Sequence, residues 1–412
     1  MQPLLRSVRV LDLTTIVLGP YATRFLGDLG AEVIKVEAPD GDLFRMVEPS
    51  RSPGMGAAFM AANRNKRSLA VDLRCPEGQE ILKRLIASVD VVVHNMRPKA
   101  AARLGLSYDA VRAINPGAVY CFAPGYGTDG PYADAPAYDD PIQAAAGAAA
   151  INADDRGEPR FFPTIIGDKV AGMHLAIAAL SGLASREATG QGCCIETPMF
   201  ESLVSLLLLE HLQGESFEPP MGPMGYARLT SRYRKPFRTS DGHISILPYN
   251  AAHWRSFLDL VGMTERGDHL NIDDPTERSL VIDQLYQLID EVAPRRTTDA
   301  WLADLRARDI PCAPVNELAD LLRDPHLRAV AMFPAYDHPT EGRMRAVRSP
   351  LRVVGIDDLP DAPAPRLGED TGAILAELRY DAAEISALSA LGTVRLAVAR
   401  PGGVAEAGDD RG

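Results

Sequence analysis

Residues 8–37 read VRVLDLTTIVLGPYATRFLGDLGAEVIKVE, and this stretch decides the fold class. Val8–Leu13 is a short apolar run of the kind that fills a strand buried on both faces. Gly19-Pro20 opens a helix that runs through Leu29, since proline is tolerated in a first helical turn, and Gly30 stands where the helix must stop. Ala31–Glu37 returns as a second strand. Working outward, Ser68–Leu73, Val89–His94 and Ala118–Ala123 repeat the apolar strand signal. Helix signals separate these runs, one with Pro76 and Glu77 in its first turn. Strands alternating with helices predict an α/β chain: a large Rossmann-like parallel sheet covered on both faces.

The pattern then becomes helical and alanine-rich from Asp139 to His211, with a helix predicted over 168–186 and ended by Gly190. After Glu218 the texture changes to EPPMGPMGYARLTSRYRKPF, which reads as a linker. The strand His243–Leu247 and helices around Trp254–Val261 and Glu277–Val292 read as a second, smaller α/β domain. Residues 335–369 read as a return linker, followed by a helix near Asp381–Leu391. The predicted division is therefore 1–220 for the first part of the large domain, 221–334 for the inserted small domain with its linkers, 335–398 for the return to the large domain, and 399–412 as a disordered tail.

Composition narrows the function. Of 412 residues, 46% are apolar and 24% charged, which excludes wholesale disorder. The net charge of −12 argues against a nucleic-acid partner, because phosphate-binding proteins are normally basic. No run of 18 apolar residues is present to span a bilayer. The N-terminus lacks a signal-peptide core, and five cysteines without ligand spacing read as reduced thiols, so a cytoplasmic location is expected. The segment Gly125–Gly130 matches G-x-G-x-x-G literally, but it follows the fifth strand and runs into Pro131, not into a helix that would receive a pyrophosphate. Neither a zinc site nor a serine triad is suggested by the scattered histidines.

Six further blocks, in order, carry a resemblance. These are residues 8–42, "NRNKRSLAVDLRCPEGQEIL", "VDVVVHNMRPKAAARLGLSYDAVRAINPGAVYCFAPGYGTDGP", "AYDDPIQAAAG", "PTIIGDKVAGMHLAIAALSGLASREATGQG" and "RYRKPFRTSDGHISI", with "APRLGEDTGAIL" near the end. Over roughly residues 5–395 the chain resembles the family III CoA-transferases. That group includes formyl-CoA:oxalate and carnitine CoA-transferases and the related α-methylacyl-CoA racemases. The resemblance implies an interlocked homodimer of two such chains. It also implies that coenzyme A and acyl-CoA enter as substrates, with a carboxylic acid as acceptor and no permanently bound cofactor.

By the same resemblance Asp168, in "IIGDKVAG", is the nucleophile. The chemistry suits a carboxylate, which can open a thioester to an anhydride and then carry CoA as an aspartyl thioester. Its place before a helix predicts N–H groups that keep it ionised, and an N-cap role is the plain alternative. The racemase relatives place a basic histidine in a Gly-His-Asp block. Here that block is Ala137-Tyr138-Asp139, and an unperturbed tyrosine is a poor base, so transfer is favoured over racemisation. Tyr138 and Asp139 fall where the transferases line their site. Val17 replaces a glutamine that some transferases carry. For CoA, the resemblance implies contacts from Lys66, Arg67, Asn95, Met96 and Arg103, residue types suited to phosphate and to a base edge and face. Arg228, Arg232 and Arg234 are candidates to meet an anionic acceptor, beside a possible lid at 222–228; a solvated basic face is the alternative.

Overall fold

In the computed structural model, which describes residues 3–355 and 362–397, the opening stretch forms β1 (Arg9–Leu13), α1 (Leu18–Asp28) and β2 (Glu32–Glu37). Then come β3 (Lys66–Val71), α2 (Pro76–Ala87), β4 (Val91–His94), α3 (Pro98–Arg103) and β5 (Val119–Phe122). Helices α4 (Asp139–Ala145) and α5 (Ile166–Thr189) precede β6 (Cys194–Glu196). The six strands lie in the order β3-β2-β1-β4-β5-β6, all parallel. This is the doubly wound order, whose direction of winding switches between β1 and β4.

Pleating sorts the strand residues. Leu11, Leu13, Ile34, Val36, Leu69 and Val71 share one core with Ile81, Leu82 and Leu85 of α2. On the other face α5 lies hard against α1. A Cβ on Gly172 would sit 2.6 Å from the Leu18 carbonyl oxygen and 3.2 Å from Tyr21 Cδ1. Only glycine allows that approach. The α5 helix ends at Gly190 with φ +73°.

Between these layers the sheet buries charge. Asp12 aligns with Lys35 across β1 and β2, and Lys66 Nζ lies 2.9 Å from Asp12 Oδ2 with both side chains wholly inaccessible. Glu37 pairs with Arg45, and Lys35 with Asp42, in the same interior. Burial opposes ionisation of Asp12. The Lys66 and Lys35 ammoniums and the Thr14 and Thr23 hydroxyls overcome it and hold the carboxyl at about 2.

The chain separates into two compact units. One comprises residues up to Asn152, Arg160–Leu206 and everything from Pro334 on; the other comprises Ala153–Pro159 and Leu207–Phe333. The main segment of the second unit is Leu207–Phe333, beside the 221–334 read from sequence for the inserted domain. It contains an antiparallel sheet of β7 (Phe237–Arg238), β8 (His243–Ile246) and β9 (Cys312–Pro314). Helices α6 (Ala251–Leu260), α7 (Ile282–Val292) and α8 (Thr298–Ala307) share a core around Trp254, Phe257, Leu285, Ile289 and Trp301.

The expected return linker is more structured than the sequence indicated. It holds a hairpin, β10 (Ala335–His338) with β11 (Gly342–Arg345). Helix α9 (Thr371–Glu377) then delivers Ile374 and Leu375 to the core beside α2. The short strand β12 (Val394–Arg395) joins β3 antiparallel, so the large sheet is mainly, not wholly, parallel. The proposed tail at 399–412 lies outside the described residues.

Candidate active site

Asp168 is the third residue of α5, whose N-cap is Ile165. It is thus a first-turn residue and not the cap that its sequence position allowed. The capping function belongs to Asp139, the first residue of α4: its Oδ1 accepts from the Gly167 N–H at 2.7 Å and the Asp168 N–H at 3.2 Å. Gln143 Nε2 donates to the other Asp139 oxygen at 2.7 Å. Asp139 is 6% exposed, whereas its neighbour Tyr138 is 69% exposed. A Cβ at Gly167 would lie 3.0 Å from Asp139 Oδ1, so the glycine lets the carboxylate reach the helix end.

The two carboxylates do not behave alike. Burial and then the Asp139 charge push the Asp168 carboxyl up to about 6, partly offset by the backbone N–H of Leu18 at the start of α1. The sequence predicts helix N–H groups that keep Asp168 ionised; those of Gly167 and Asp168 donate to Asp139 instead. At pH 7.5 Asp168 is still largely a carboxylate, and a half-buried one with raised proton affinity is a better nucleophile than one in water.

Leu18 is aimed by an unusual loop. Ile16 has φ +67°, a conformation that costs a β-branched residue about 1–3 kcal/mol. Val17, the residue that replaces glutamine, is buried at the N-cap of α1.

A second part of the site lies outside the carboxyl ends of the strands, where open α/β sheets bind ligands. A cleft of about 330 Å³ is lined there by Thr15, Ala38, Asp42, Arg74, Met96 and Leu104, among others. Met96 lines it, and exposed Arg103 ends α3 beside Leu104. Arg74 was not singled out from sequence. It follows β3 and pairs with Asp72 at 2.8 Å while remaining largely exposed. Its position three residues past an apolar strand was the available signal.

Three of the CoA candidates have their polar groups engaged within the protein. Lys66 starts β3, at the opposite end of the sheet from the cleft. Its ammonium donates to Asp12, to the Pro20 carbonyl at 3.0 Å and to Asn63 Oδ1 at 2.9 Å. An inaccessible cation with three acceptors cannot reach a phosphate. Arg67 is likewise drawn away, bonded to Glu32 and to Glu377 at 2.7 Å. Asn95 is near the cleft, but its amide is engaged: Oδ1 accepts from the Thr15 N–H and Nδ2 donates to the Thr15 carbonyl, both at 3.0 Å.

The Gly125–Gly130 loop is not a phosphate cradle. The Gly127 and Thr128 N–H groups donate to Glu201 and Glu196, each at 2.8 Å, and no helix follows Gly130. In the second unit, Arg228 and Arg234 share a small cleft with Lys235, and Arg228 Nε donates to the Tyr286 hydroxyl at 3.1 Å. Arg232 instead bonds the Tyr233 hydroxyl. Among the described residues no cluster of ligands suited to a metal occurs, and no helix is long and apolar enough to cross a membrane.

Known proteins share this arrangement. The human succinyl-CoA:glutarate CoA-transferase is 30% identical over 394 residues, covering 95% of this chain and 90% of that protein. The formyl-CoA:oxalate CoA-transferase of Streptomyces avermitilis is 30% identical, covering 95% and 99%. A crystal structure of a CaiB/BaiF family protein from Brucella suis superposes with a TM-score of 0.77 at 31% identity, covering 92% of this chain and all of that one. The profile of CoA-transferase family III matches residues 5–371 without a break. A doubly wound sheet with an aspartate at the start of a helix, matched along nearly the whole chain by proteins of this one kind, makes the chain a member of CoA-transferase family III.

Proposed function

We propose that the protein moves CoA from an acyl-CoA to a carboxylic acid through a covalent aspartyl-CoA at Asp168. The observation that carries this reading is the half-buried Asp168 carboxylate in the first turn of α5, facing the N-terminal N–H of α1. The carboxylate attacks the thioester carbonyl, the C–S bond breaks, and CoA leaves as thiolate from an acyl-aspartyl anhydride. The thiolate then attacks the aspartyl carbonyl, releasing the first acid as its carboxylate and leaving aspartyl-CoA. The acceptor carboxylate attacks that thioester and expels the thiolate. Attack of the thiolate on the acceptor's acyl carbon gives the new acyl-CoA and regenerates Asp168. Each tetrahedral intermediate needs an oxyanion donor, and the first-turn N–H groups of α1 are of the right kind.

Coenzyme A binds as substrate, with its nucleotide part in the cleft of Met96 and Arg74 and with exposed Arg103 beside the cleft residue Leu104. A cytoplasmic location and an interlocked homodimer complete the reading, as the resemblance implies. The relatives' names make short dicarboxylic acids the first acceptors to try. Racemisation is disfavoured by Tyr138, which is exposed where that chemistry calls for a basic histidine.

The test is intact-protein mass spectrometry after incubation with succinyl-, glutaryl-, formyl- and oxalyl-CoA. A CoA-sized adduct that hydroxylamine removes and Asp168→Ala lacks is expected. No adduct with any donor, together with α-proton exchange into deuterated water, would move the protein to racemase chemistry. For the cleft, Arg74→Ala and Arg103→Ala are each expected to raise KM for acyl-CoA about 3–10-fold with kcat within about twofold, the loss of one charge-assisted phosphate contact. Arg67→Ala is expected to leave KM unchanged. Steady-state kinetics on the three variants checks the assignment; a KM effect confined to Arg67→Ala would reverse it.

A further inference from the structure

The loop from Thr14 to Val17 is held in a way that its length alone does not require. Five backbone polar groups of Thr14–Ile16 are bonded to side chains from other parts of the large sheet. The Thr14 N–H donates to Asp12 Oδ1 at 3.0 Å, and the Thr14 carbonyl accepts from Lys35 Nζ at 3.0 Å. The Thr15 N–H and carbonyl both engage Asn95, across the switch point between β1 and β4. The Ile16 N–H donates to the Asp42 carboxylate at 3.1–3.2 Å, and Asp42 is itself paired with Lys35 at 3.1 Å. These bonds enforce the positive φ of Ile16, and the chain enters α1 immediately afterwards.

The far side of that entry is the nucleophile. Asp168 lies one helical turn before Gly172, on the same face of α5, and a Cβ on Gly172 would lie 2.6 Å from the Leu18 carbonyl oxygen. The loop therefore leads directly into the first turn of α1, whose Leu18 N–H favours the ionised Asp168.

We infer that Lys35, Asp42 and Asn95 are positioning residues: they lock the Thr14–Val17 loop so that the Leu18 N–H stays on the Asp168 carboxylate. This rests on the reading of Asp168 as nucleophile. It also reassigns Asn95 from a contact of the CoA base to a brace of the loop. The charged and titratable groups around Asp168 are Asp139 from α4, Tyr21 from α1 near Gly172, and Lys169 of its own helix, whose Nζ donates to Thr164 Oγ1 at 2.7 Å. Around Asp42 they are Lys35 and Glu37, the latter paired with Arg45. None of these is altered by removing the Asn95 amide.

The sign follows from the bond. An N–H donor favours the ionised carboxylate, so a released loop raises the proton affinity of Asp168. The direct readout is the carbon-13 carboxyl resonance of Asp168, assigned with Asp168→Asn and titrated in the full-length wild type, in Asn95→Ala and in Asp42→Asn. Asn95 is only half-buried, so Asn95→Ala tests the idea even if the buried Asp42→Asn does not fold. The titration midpoint is expected to rise by about one pH unit in Asn95→Ala, the size of one charge-assisted hydrogen bond. The acid limb of kcat should move with it, giving about a tenfold loss at pH 6 and a far smaller one at pH 8.5, with KM for acyl-CoA within about twofold. An unchanged midpoint with KM raised tenfold or more would return Asn95 to the CoA site and overturn the inference. The midpoint needs no turnover, so it decides this point even if the wild type forms no adduct and the transferase reading fails.

Discussion

Asp168→Asn is expected to abolish CoA transfer and to make the folded protein more stable at pH 8. The first half follows from chemistry: an amide cannot form the anhydride, and loss of a covalent nucleophile lowers kcat by on the order of 10⁴-fold or more. The second half follows from the proton affinity. The Asp168 carboxyl is raised from an ordinary 3.8 to about 6 in the folded chain, first by burial and then by Asp139. The folded state therefore holds this proton more tightly than the unfolded chain does. That contribution to stability is fully present below about pH 4 and is lost as the pH rises through 6. Above pH 6 the fold carries an ionised group it disfavours, a cost of about 2 kcal/mol once the partial exposure of the site is allowed for. Asparagine is neutral at every pH and its Nδ2 can donate towards Asp139. The variant should gain about 2 kcal/mol at pH 8 and nothing near pH 4, read from urea denaturation at the two pH values. Equal stability at pH 8 would remove the strain assigned to Asp168, and a kcat within a hundredfold of wild type would remove its role as nucleophile.

The same residue shows what was legible in the chain. The apolar runs beginning at Val8, Ala31, Ser68, Val89 and Ala118 announced five parallel strands because a strand buried on both faces has little choice but to be apolar. The aspartate in "IIGDKVAG" was singled out by the family resemblance, since its glycine and the helix behind it suit an N-cap equally well. What the sequence did not show was which cations are tied up inside the protein. Lys66, Arg67 and Arg103 look alike in sequence, and their partners are distant: Asp12 is 54 positions from Lys66, and Glu377 is 310 positions from Arg67. One rule would have sorted them. Ligands in an open α/β sheet meet the carboxyl ends of the strands. Lys66 and Arg67 begin their strand and Arg74 follows its end, so the rule favours Arg74. Two-residue β12 and the β10–β11 hairpin were beyond reading, since so few residues carry no period. The engagement of the Asn95 amide was not readable either, since it depends on Thr15, 80 positions away.

Lys66→Met is the variant that separates the interior from the site. Methionine matches the length of the lysine stem and fills its space, so packing is kept and only the ammonium is removed. Asp12 then remains at the centre of the sheet, wholly inaccessible, with the Thr14 and Thr23 hydroxyls and Lys35 as its neighbours. Breaking a buried ion pair from one side costs about 3–5 kcal/mol, because the remaining charge is uncompensated, and this is the expected loss in a urea titration at pH 7.5. The Pro20 carbonyl and the Asn63 side chain also lose their donor, so the damage reaches the first turn of α1. Replacing both charges at once, with Asp12→Asn added to Lys66→Met, should recover most of the loss, since a neutral pair leaves no charge stranded. The kinetic consequence is opposite to that of a phosphate contact. The folded fraction of Lys66→Met should keep KM for acyl-CoA within about twofold of wild type, because the side chain starts its strand at the end of the sheet away from Met96 and Arg74. A stable variant with KM raised tenfold or more would return Lys66 to the CoA site and would require the cleft to extend to the amino ends of the strands.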